Sequence, residues 1–384
     1  MSKSNETTPN VPTLRFAEYT DEWHKFALSD FVTRITRRNK NDESSLPLTI
    51  SAQYGLVDQI TFFNKTVASV DLSGYYLLYT GDFAYNKSYS NDYAWGAVKR
   101  LDKYEKGCLS SLYFVFRPTD KVDSDYLTHY FETNKWHKGI SDIAGEGARN
   151  HGLLNMSVDD YFATKHYLPT LPEQRKIADF LNLIVKRIEI QNKIIEDLKV
   201  LKKELNAFLI NRLTNGKFPN CQIGDVIDYE QPTSYIVNSD KYISNGTTPV
   251  LTANKAFVLG YTNEQEGIYD KGNCIIFDDF TLDFKFVDFP FKVKSSAIKI
   301  LSAKSNVDIK YFYEYLLFLG LSTNEHKRHY ISEVASKSMY LPSLSEQETL
   351  LKPLNKISLK LFQEERVLFL LEQQRKYLLS AMFI

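Results

Sequence analysis

The chain has 384 residues with 47 basic and 47 acidic side chains, and 14% of its residues are aromatic. This length allows two or three domains, and a formal net charge of zero argues against a uniformly basic polyanion binder, although local basic patches remain compatible with it. The three cysteines, Cys108, Cys221 and Cys274, are scattered and form no metal-binding motif. The N-terminus is polar, unlike a signal peptide, and no apolar run reaches the ~18 residues of a membrane span. We therefore predict a cytoplasmic protein.

The chain begins with a polar stretch, residues 1–13, which we predict to be flexible, followed by a globular segment over 14–167. This segment is rich in aromatic and β-branched residues separated by turn residues, a composition that favours strands. The predicted strands are 45–50, 75–79 and 111–116, and the predicted helices are 124–138 and 157–162.

Polar clusters in the predicted loops of this segment have the side-chain types that contact nucleic acid. Arginine can bond guanine and asparagine can bond adenine in the major groove, whereas lysine mostly meets phosphate. For the basic cluster over 33–40, a solvated surface edge is an equally good interpretation. The candidate contact residues are Arg34, Arg37, Arg38, Lys40, Gln53, Tyr54, Tyr85, Asn86, Lys87, Arg149, Asn150 and His151.

A long helix is predicted over 168–215. Thr170-x-x-Glu173 has the spacing of a capping box, Pro172 suits a first turn, and Gly216 suits a helix stop. Apolar residues then recur with the heptad spacing of a coiled-coil seam. The predicted seam residues are Ile177, Leu181, Ile184, Ile188, Gln191, Ile195, Leu198 and Leu205. About 40 helical residues span roughly 60 Å, so the helix is expected to act as a spacer.

A second globular segment, 216–340, is predicted to be richer still in strands. Predicted strands cover 248–252, 256–261, 273–277, 284–293 and 297–301, and a helix covers 308–320. Its loops again carry polar clusters. The candidate contact residues are Thr252, Asn254, Lys255, Asp278, Asp279, Thr281 and Lys285. A catalytic metal site at the Asp278-Asp279 cluster is a weak alternative, because two or three carboxylates near a strand end are common.

The last segment, 341–384, repeats the first long helix. The two copies begin Leu168-Pro-Thr-Leu-Pro-Glu-Gln174 and Leu341-Pro-Ser-Leu-Ser-Glu-Gln347, and Ser343-x-x-Glu346 forms a second predicted capping box. The polar seam residues Gln191 and Glu364 repeat at matching positions, as do Lys202 and Arg375. The seam residues of the second copy are Leu354, Ile357, Leu361, Glu364, Leu368, Leu371 and Leu378. Pro353 is expected to kink this helix near its start.

The sequence lacks the common catalytic motifs. A phosphate-binding Gly-x-x-x-x-Gly-Lys loop, Gly-x-Gly-x-x-Gly, Gly-x-Ser-x-Gly and His-Glu-x-x-His are absent, and so is the Asn-Pro-Pro-aromatic signature of amino-methyltransferases. The seven histidines show no spacing that suggests a metal site. These absences count against an enzyme, and we expect no metal or cofactor to be bound by this chain.

With both helical copies starting Leu-Pro-x-x-x-Glu-Gln at Leu168 and Leu341, the chain resembles the specificity (S) subunits of type I restriction-modification systems over nearly its whole length. The stretches LTISAQYGLVDQ, GDFAYNKSYS and EGARNHGLLN look like one class of target recognition domain in that family. The stretches TPVLTANKAFVLGYTNEQEGIY and CIIFDDFTLDFKFVDFPFKV look like another.

The resemblance implies an α+β fold with two mixed, β-rich target recognition domains, each followed by a long helix. It also implies that the two helices form an antiparallel coiled coil with pseudo-twofold symmetry. The implied domains are a flexible N-terminus (1–13), recognition domain 1 (14–167), a central spacer (168–215), recognition domain 2 (216–340) and a C-terminal spacer (341–384).

In function, the resemblance implies a noncatalytic subunit whose two domains read the halves of an asymmetric bipartite site in double-stranded DNA. Two methylation (M) subunits would dock on the helices and carry S-adenosylmethionine, and motor-nuclease (R) subunits would join them. Phe208, Phe369 and Phe383 flank the seam and are expected to need cover from methylation subunits. The alternative from another class is a bivalent scaffold that binds proteins through its two globular segments.

Overall fold

The computed structural model describes residues 10–65, 68–69, 71–90, 93–144, 152–254, 256–325 and 327–384. These residues form two compact units. Unit 1 contains the described residues up to Gln191 together with Val367–Ile384, and unit 2 contains Asn192–Arg366. Each unit therefore holds one of the predicted globular segments and a stretch of each long helix.

Unit 1 is built from ten strands and five short helices in its described part, and then enters a long helix. The strands are β1 (His24–Ala27), β2 (Val32–Arg34), β3 (Leu48–Ser51), β4 (Gly55–Asp58), β5 (Tyr76–Tyr79), β6 (Phe83–Asn86), β7 (Ala97–Arg100), β8 (Lys106–Leu109), β9 (Phe114–Pro118) and β10 (Lys165–Leu168). The helices are α1 (Leu28–Phe31), α2 (Gln59–Phe63), α3 (Ser124–Tyr130), α4 (His137–Ile143), α5 (Val158–Ala163) and the long α6 (Leu171–Thr214). An antiparallel sheet of order β2-β9-β6-β7 is joined by the pairs β1-β10, β3-β4 and β5-β8.

Unit 2 follows the same plan with different loops. Its strands are β11 (Cys221–Gln222), β12 (Ile227–Glu230), β13 (Thr248–Leu251), β14 (Val258–Thr262), β15 (Cys274–Asp278), β16 (Phe284–Val287), β17 (Lys292–Val293), β18 (Ile298–Ala303) and β19 (Ser338–Met339). Its helices are α7 (Ile223–Val226), α8 (Ile309–Leu319) and the long α9 (Leu344–Ala381), with a 3₁₀ turn at Pro232–Tyr235 and a π turn at Tyr330–Val334. The sheets have the orders β12-β18-β15-β16 and β14-β13-β17, and β11 pairs with β19.

The two units contain the same central arrangement of strands and helices. In each, the first strand pairs with the strand that precedes a long helix, and a four-residue helix leads into a four-stranded antiparallel sheet of equivalent order. The N-termini of the four-residue helices are capped in the same way. The Ala27 N–H donates to Asp30 Oδ2 at 2.7 Å, and the Gln222 N–H donates to Asp225 Oδ2 at 2.8 Å. The internal repeat therefore extends from the long helices into the globular domains.

The long helices run antiparallel. In unit 1, Ile177 and Leu181 near the start of α6 share a hydrophobic core with Leu378 near the end of α9. In unit 2, Ile210 near the end of α6 shares a core with Leu354 near the start of α9. Burying these side chains inside both domain cores removes apolar surface from water, so the helices are part of each domain's stability.

The residues predicted for the seam lie away from solvent. Every residue predicted for it in α6 and α9 is buried or half-buried, including the polar Gln191, which is 7% exposed. The flanking Leu183 and Ile190 are exposed, as a heptad pattern requires. Helix α9 continues through Pro353 without interruption.

The repeated Glu-Gln pair shows why both helices start with the same motif. Gln174 Oε1 accepts the backbone N–H of Asp123, the residue that caps α3, at 2.8 Å, and its Nε2 donates to the Pro169 carbonyl. Gln347 repeats this contact with the N–H of Asp308, the cap of α8, at 2.8 Å. Each glutamine thus attaches the start of a long helix to the start of a domain helix.

The glutamates behave differently in the two copies. The second predicted capping box is confirmed, since Glu346 Oε2 accepts the Ser343 N–H at 2.9 Å. The first is wrong: Glu173 is 1% exposed, and its carboxylate accepts two bonds from Arg15, at 2.7 and 2.8 Å, and one from Trp23 Nε1 at 3.3 Å. Arg15 and Trp23, from the N-terminal part of the domain, therefore bond the Glu173 carboxylate that the predicted capping box would have directed to the backbone N–H of Thr170.

The polar positions near the ends of the helices also contact their domains. Lys202 Nζ lies 2.7 Å from Glu314 Oε1 of α8. At the matching position in α9, Arg375 is half-buried and lies close enough to His129 of α3 to help lower the pKa of that imidazole, although burial is the larger cause. In each unit a cation from a long helix thus faces the helix that the glutamine anchors.

Candidate nucleic-acid interface

The basic cluster over 33–40 divides into two structural and two exposed cations. Arg37 bonds the buried Asp82 at 2.6 Å and lies over the Tyr79 ring, 4.4 Å from its centroid. Arg38 donates to the Gly74 carbonyl at 2.7 Å and stacks on Tyr76. The predicted cations that remain exposed are Arg34 and Lys40.

Asp82 explains why Arg37 is held in place. Its carboxylate is fully buried and also accepts Arg117 Nε at 2.5 Å and the Tyr79 N–H at 2.8 Å. A buried carboxylate needs such partners because an unpaired one would be costly. Arg37 therefore stabilises the turn before β6, and its role as a DNA contact is not favoured by this geometry.

The turn between β3 and β4 presents the predicted residues Gln53 and Tyr54 to solvent, with Tyr54 60% exposed. The Tyr54 ring lies 6.3 Å from that of Phe62, which in turn lies 5.0 Å from that of Phe63. Both phenylalanines belong to α2 and are more than two-fifths exposed. We call Tyr54, Phe62 and Phe63 the aromatic tip. The sequence prediction missed its α2 members because two adjacent phenylalanines also fit a hydrophobic core.

The predicted run Tyr85-Asn86-Lys87 lies mostly inside unit 1. Tyr85 is fully buried, stacks on Tyr161 with 4.7 Å between ring centroids, and donates its hydroxyl to the Trp95 carbonyl, so it has no surface with which to reach DNA. Asn86 is half-buried and accepts the N–H of Ser88 at 2.9 Å. Lys87 is half-buried over the Phe114 ring, and this burial lowers the pKa of its ammonium. The remaining predicted contacts in this unit, Arg149, Asn150 and His151, lie outside the described residues.

In unit 2, burial also removes two of the predicted contacts. Thr252 is 8% exposed and Asp279 is 2% exposed. The Asp279 carboxylate accepts the backbone N–H groups of His329 and Tyr330, at 3.1 and 2.8 Å, and lies 3.6 Å from Lys299 Nζ. Asp279 therefore anchors the start of the π turn rather than presenting an acceptor to a base.

The other predicted residues of unit 2 are closer to the surface. Asn254 and Thr281 are exposed, whereas Asp278 and Lys285 are half-buried. Asp278 Oδ1 accepts the N–H groups of Phe280 and Thr281, at 2.9 and 3.0 Å, and so shapes the loop. Lys255 lies outside the described residues. Asn254 and Thr281 also bond within their loops, to the Ala256 N–H and to Asp283 respectively, but their side chains are exposed, and Lys285 is half-buried.

Each long helix also carries exposed apolar residues outside the seam. Those on α6 are Leu183, Ile190, Ile194, Leu201 and Phe208, and those on α9 are Leu359, Phe362, Phe369, Leu370 and Tyr377. We call these residues the outer stripe. Several are seven residues apart, which places them on one helical face. Phe383 was predicted to belong with them, but it is 1% exposed and packs 5.3 Å from the Tyr126 ring, so that prediction is wrong.

Across the described ranges, no group of three or more His, Cys, Asp or Glu side chains is arranged to hold a metal ion. None of the helices in those ranges is both long and apolar enough to cross a lipid bilayer.

No protein-family model matches the chain. Over 126 residues it is 45% identical to the type I restriction enzyme EcoR124I/EcoR124II specificity subunit of Escherichia coli, a match covering 31% of this chain and 31% of that subunit. The crystal structure of a type I restriction-modification S subunit from M. genitalium has a TM-score of 0.59 at 16% identity, over 97% of this chain and 99% of that one. A chain from a structure concerned with complex assembly and conformational transition of the type I system has a TM-score of 0.54 at 16% identity, over 94% and 97%.

At 16% identity the two structures demonstrate a shared fold, and the 126-residue match adds similarity in sequence. The chain has the α+β fold of the type I restriction-modification specificity subunits, and the resemblance carried by its two Leu-Pro-x-x-x-Glu-Gln motifs is confirmed.

Proposed function

We propose that this chain is the noncatalytic subunit that gives a type I restriction-modification complex its DNA sequence specificity. The observation that carries the proposal is the duplicated arrangement: two units with the same core, each joined through the same glutamine to one of two antiparallel helices, but with different polar loops. The 45% identity over 126 residues with a specificity subunit supports it. Two similar domains with different loops suit an asymmetric bipartite site.

The domain of unit 1 would read one half-site and that of unit 2 the other. In unit 1, the exposed Gln53 amide can bond an adenine edge, and the aromatic tip can contact thymine methyl groups or stack on bases. Arg34 and Lys40 have exposed charges for phosphate or guanine. In unit 2, Asn254 and Thr281 supply amide and hydroxyl groups, and Lys285 supplies a charge.

The long helices would fix the distance between the half-sites, since a helix sets length at ~1.5 Å per residue. The outer stripe is the surface on which two methylation subunits would dock, because solvent-exposed leucine and phenylalanine in heptad register suit a helical partner. In this proposal the methylation subunits carry S-adenosylmethionine, motor-nuclease subunits join the complex, and the complex acts in the cytoplasm. The chain itself would contribute no catalytic group or cofactor.

The proposal is tested by expressing the chain with its methylation subunits and mapping the methylated bases of the host DNA with and without it. We expect one bipartite motif that disappears when the chain is omitted. The same complex should bind a duplex carrying that motif in an electrophoretic shift assay, with an affinity that falls as salt rises. Methylation independent of the chain, or binding without sequence preference, would refute the proposal and favour a protein-binding scaffold.

A further inference from the structure

Unit 1 contains a cavity of about 540 Å³, lined by several lysines, that the candidate DNA contacts do not include. Its lining comes from segments that are far apart in sequence: β1, the end of α3, helix α4 with the residues just before it, α5, β10 and the C-terminal residue Ile384. Four of the lining residues are lysines, namely Lys25, Lys135, Lys138 and Lys165. Their convergence is a product of the fold, because nothing in the sequence marks them as a group.

The charge of the cavity contrasts with that of the chain, whose formal net charge is zero. The lining side chains include two carboxylates, Asp142 and Asp160, against the four lysines, and Ile384, the last residue of the sequence, also lines the cavity. Asp160 is already occupied in part, since the Ser157 hydroxyl donates to its Oδ2 at 2.6 Å. Within the described ranges, none of the four lysines forms an ion pair. The lining side chains therefore carry more positive than negative charge.

Three uncharged lining residues of the cavity are joined by hydrogen bonds. Tyr130 Oη lies 2.8 Å from Nδ1 of His166, and Thr164 Oγ1 lies 2.8 Å from its Nε2, so both ring nitrogens have partners. Burial lowers the pKa of His166 to about 4, and the imidazole is therefore uncharged at neutral pH. This bonded row holds β10 in place, and β10 carries Lys165, while Lys25 on the paired strand lies over the Tyr167 ring at 5.4 Å.

We propose that this lysine-lined cavity binds phosphate groups of the DNA backbone, an inference that rests on the proposed function. Lysine is a flexible point charge that suits phosphate without reading sequence. An acidic protein surface is the less favoured occupant, because protein interfaces are depleted in lysine and enriched in aromatic residues and arginine. Phosphate contacts in the cavity would raise the affinity for DNA and fix the position of the protein along the duplex, whereas the loops would supply sequence preference.

Gly139 provides a test that leaves every lysine in place. It lines the cavity, and a Cβ built on it would lie 3.5 Å from the Thr164 Cβ, an ordinary contact. The Cβ of Gly139→Glu is therefore accommodated, and this variant is designed to add a carboxylate to the lysine-lined cavity. Gly139→Ala, which adds the same Cβ, is the matched uncharged control. Lys138→Gln removes one cation, and Lys138→Arg retains the charge at the same position.

Each variant is assembled with the methylation subunits and titrated onto a fluorescent duplex carrying the methylated motif, between 50 and 200 mM KCl. Losing one phosphate contact reduces the magnitude of the slope of log affinity against log salt by about 0.9. Between 50 and 200 mM KCl, the affinity of such a variant should therefore fall by a factor about 3.5 times smaller than that of the wild type. We expect this loss for Gly139→Glu and Lys138→Gln, with unchanged base preference, and wild-type slopes for Gly139→Ala and Lys138→Arg.

Three results would overturn the inference in distinguishable ways. Wild-type slopes for both charge-changing variants, with specific binding intact, would exclude phosphate from the cavity while leaving the proposed function standing. A loss of methylation-subunit assembly at an unchanged slope would identify the cavity as a protein contact. If the wild-type complex itself shows no sequence-selective binding, the proposed function fails, and this inference fails with it.

Discussion

Replacing Gln347 by methionine tests whether the repeated glutamine attaches a domain to its helix. Gln347 is fully buried and makes three hydrogen bonds: it accepts from Asp308 N at 2.8 Å and donates to the carbonyls of Pro342 at 2.9 Å and Asn306 at 3.1 Å. Methionine has a similar volume but cannot make these bonds. At about 1 kcal/mol net for each bond, unit 2 should lose about 3 kcal/mol of unfolding free energy.

The same change at Gln174 should cost about 2 kcal/mol in unit 1, because Gln174 makes two such bonds, and Gln373→Met on the exposed face of α9 should stay within about 0.5 kcal/mol of wild type. Urea unfolding followed by circular dichroism measures the loss. With an m-value of about 2 kcal/mol/M, the midpoint for Gln347→Met should fall by about 1.5 M.

Hydrogen exchange locates the effect. The Asp308 amide should lose protection in Gln347→Met, because its acceptor is gone, while amides in the sheet of unit 1 should exchange as in wild type. The reasoning would be refuted by a Gln347→Met midpoint equal to that of Gln373→Met, or by an Asp308 amide that stays protected.

Three further outcomes are expected. Burial lowers the pKa of His166 to about 4, below its ordinary value of about 6.5, so between these values the unfolded state binds more protons and stability falls as the pH drops. In urea titrations, unit 1 should lose about 2 kcal/mol of unfolding free energy between neutral pH and pH 5. The His166→Gln variant should lack this pH dependence. Exchanging residues 14–167 for the corresponding segment of another specificity subunit should alter one half of the methylated motif. Alteration of both halves would contradict the proposal that each domain reads its own half-site. Phe362→Asp in the outer stripe should reduce co-purification of methylation subunits at least tenfold relative to the exposed control Gln363→Asp, without changing the circular dichroism of the chain; equal co-purification would remove the stripe as a docking surface.

Local patterns were enough to predict the long helices. The strict heptad spacing and the repeated start motifs predicted α6 and α9 to within a few residues of their ends, together with a seam whose members are all buried or half-buried. Strand predictions were weaker because short apolar runs do not reveal where pairing stops. The run at 284–293 divides into β16 and β17 around Pro290, which has no N–H to donate to a ladder.

For the candidate site, residue type alone did not separate contact residues from structural ones. Tyr85 and Asp279 have the chemistry of nucleic-acid contacts, but the fold buries one against Tyr161 and the other beneath the π turn. Gln53 and Tyr54 lie exposed on a turn as predicted. The difference depends on which face of a strand or turn a side chain occupies once distant segments pack, and a short motif does not contain that information.

The sequence by itself determined the architecture of this protein, because a heptad repeat and a helix-start motif are local features that recur wherever the chain contains them. Tertiary structure alone decided three other matters. It revealed the shared core of the two domains, whose matching sequences are only a few residues long, and the role of Gln174 and Gln347 as attachments to the caps of α3 and α8. It also brought Lys25 together with Lys135, Lys138 and Lys165, since side chains from distant segments share a cavity only after the strands and helices that carry them have packed.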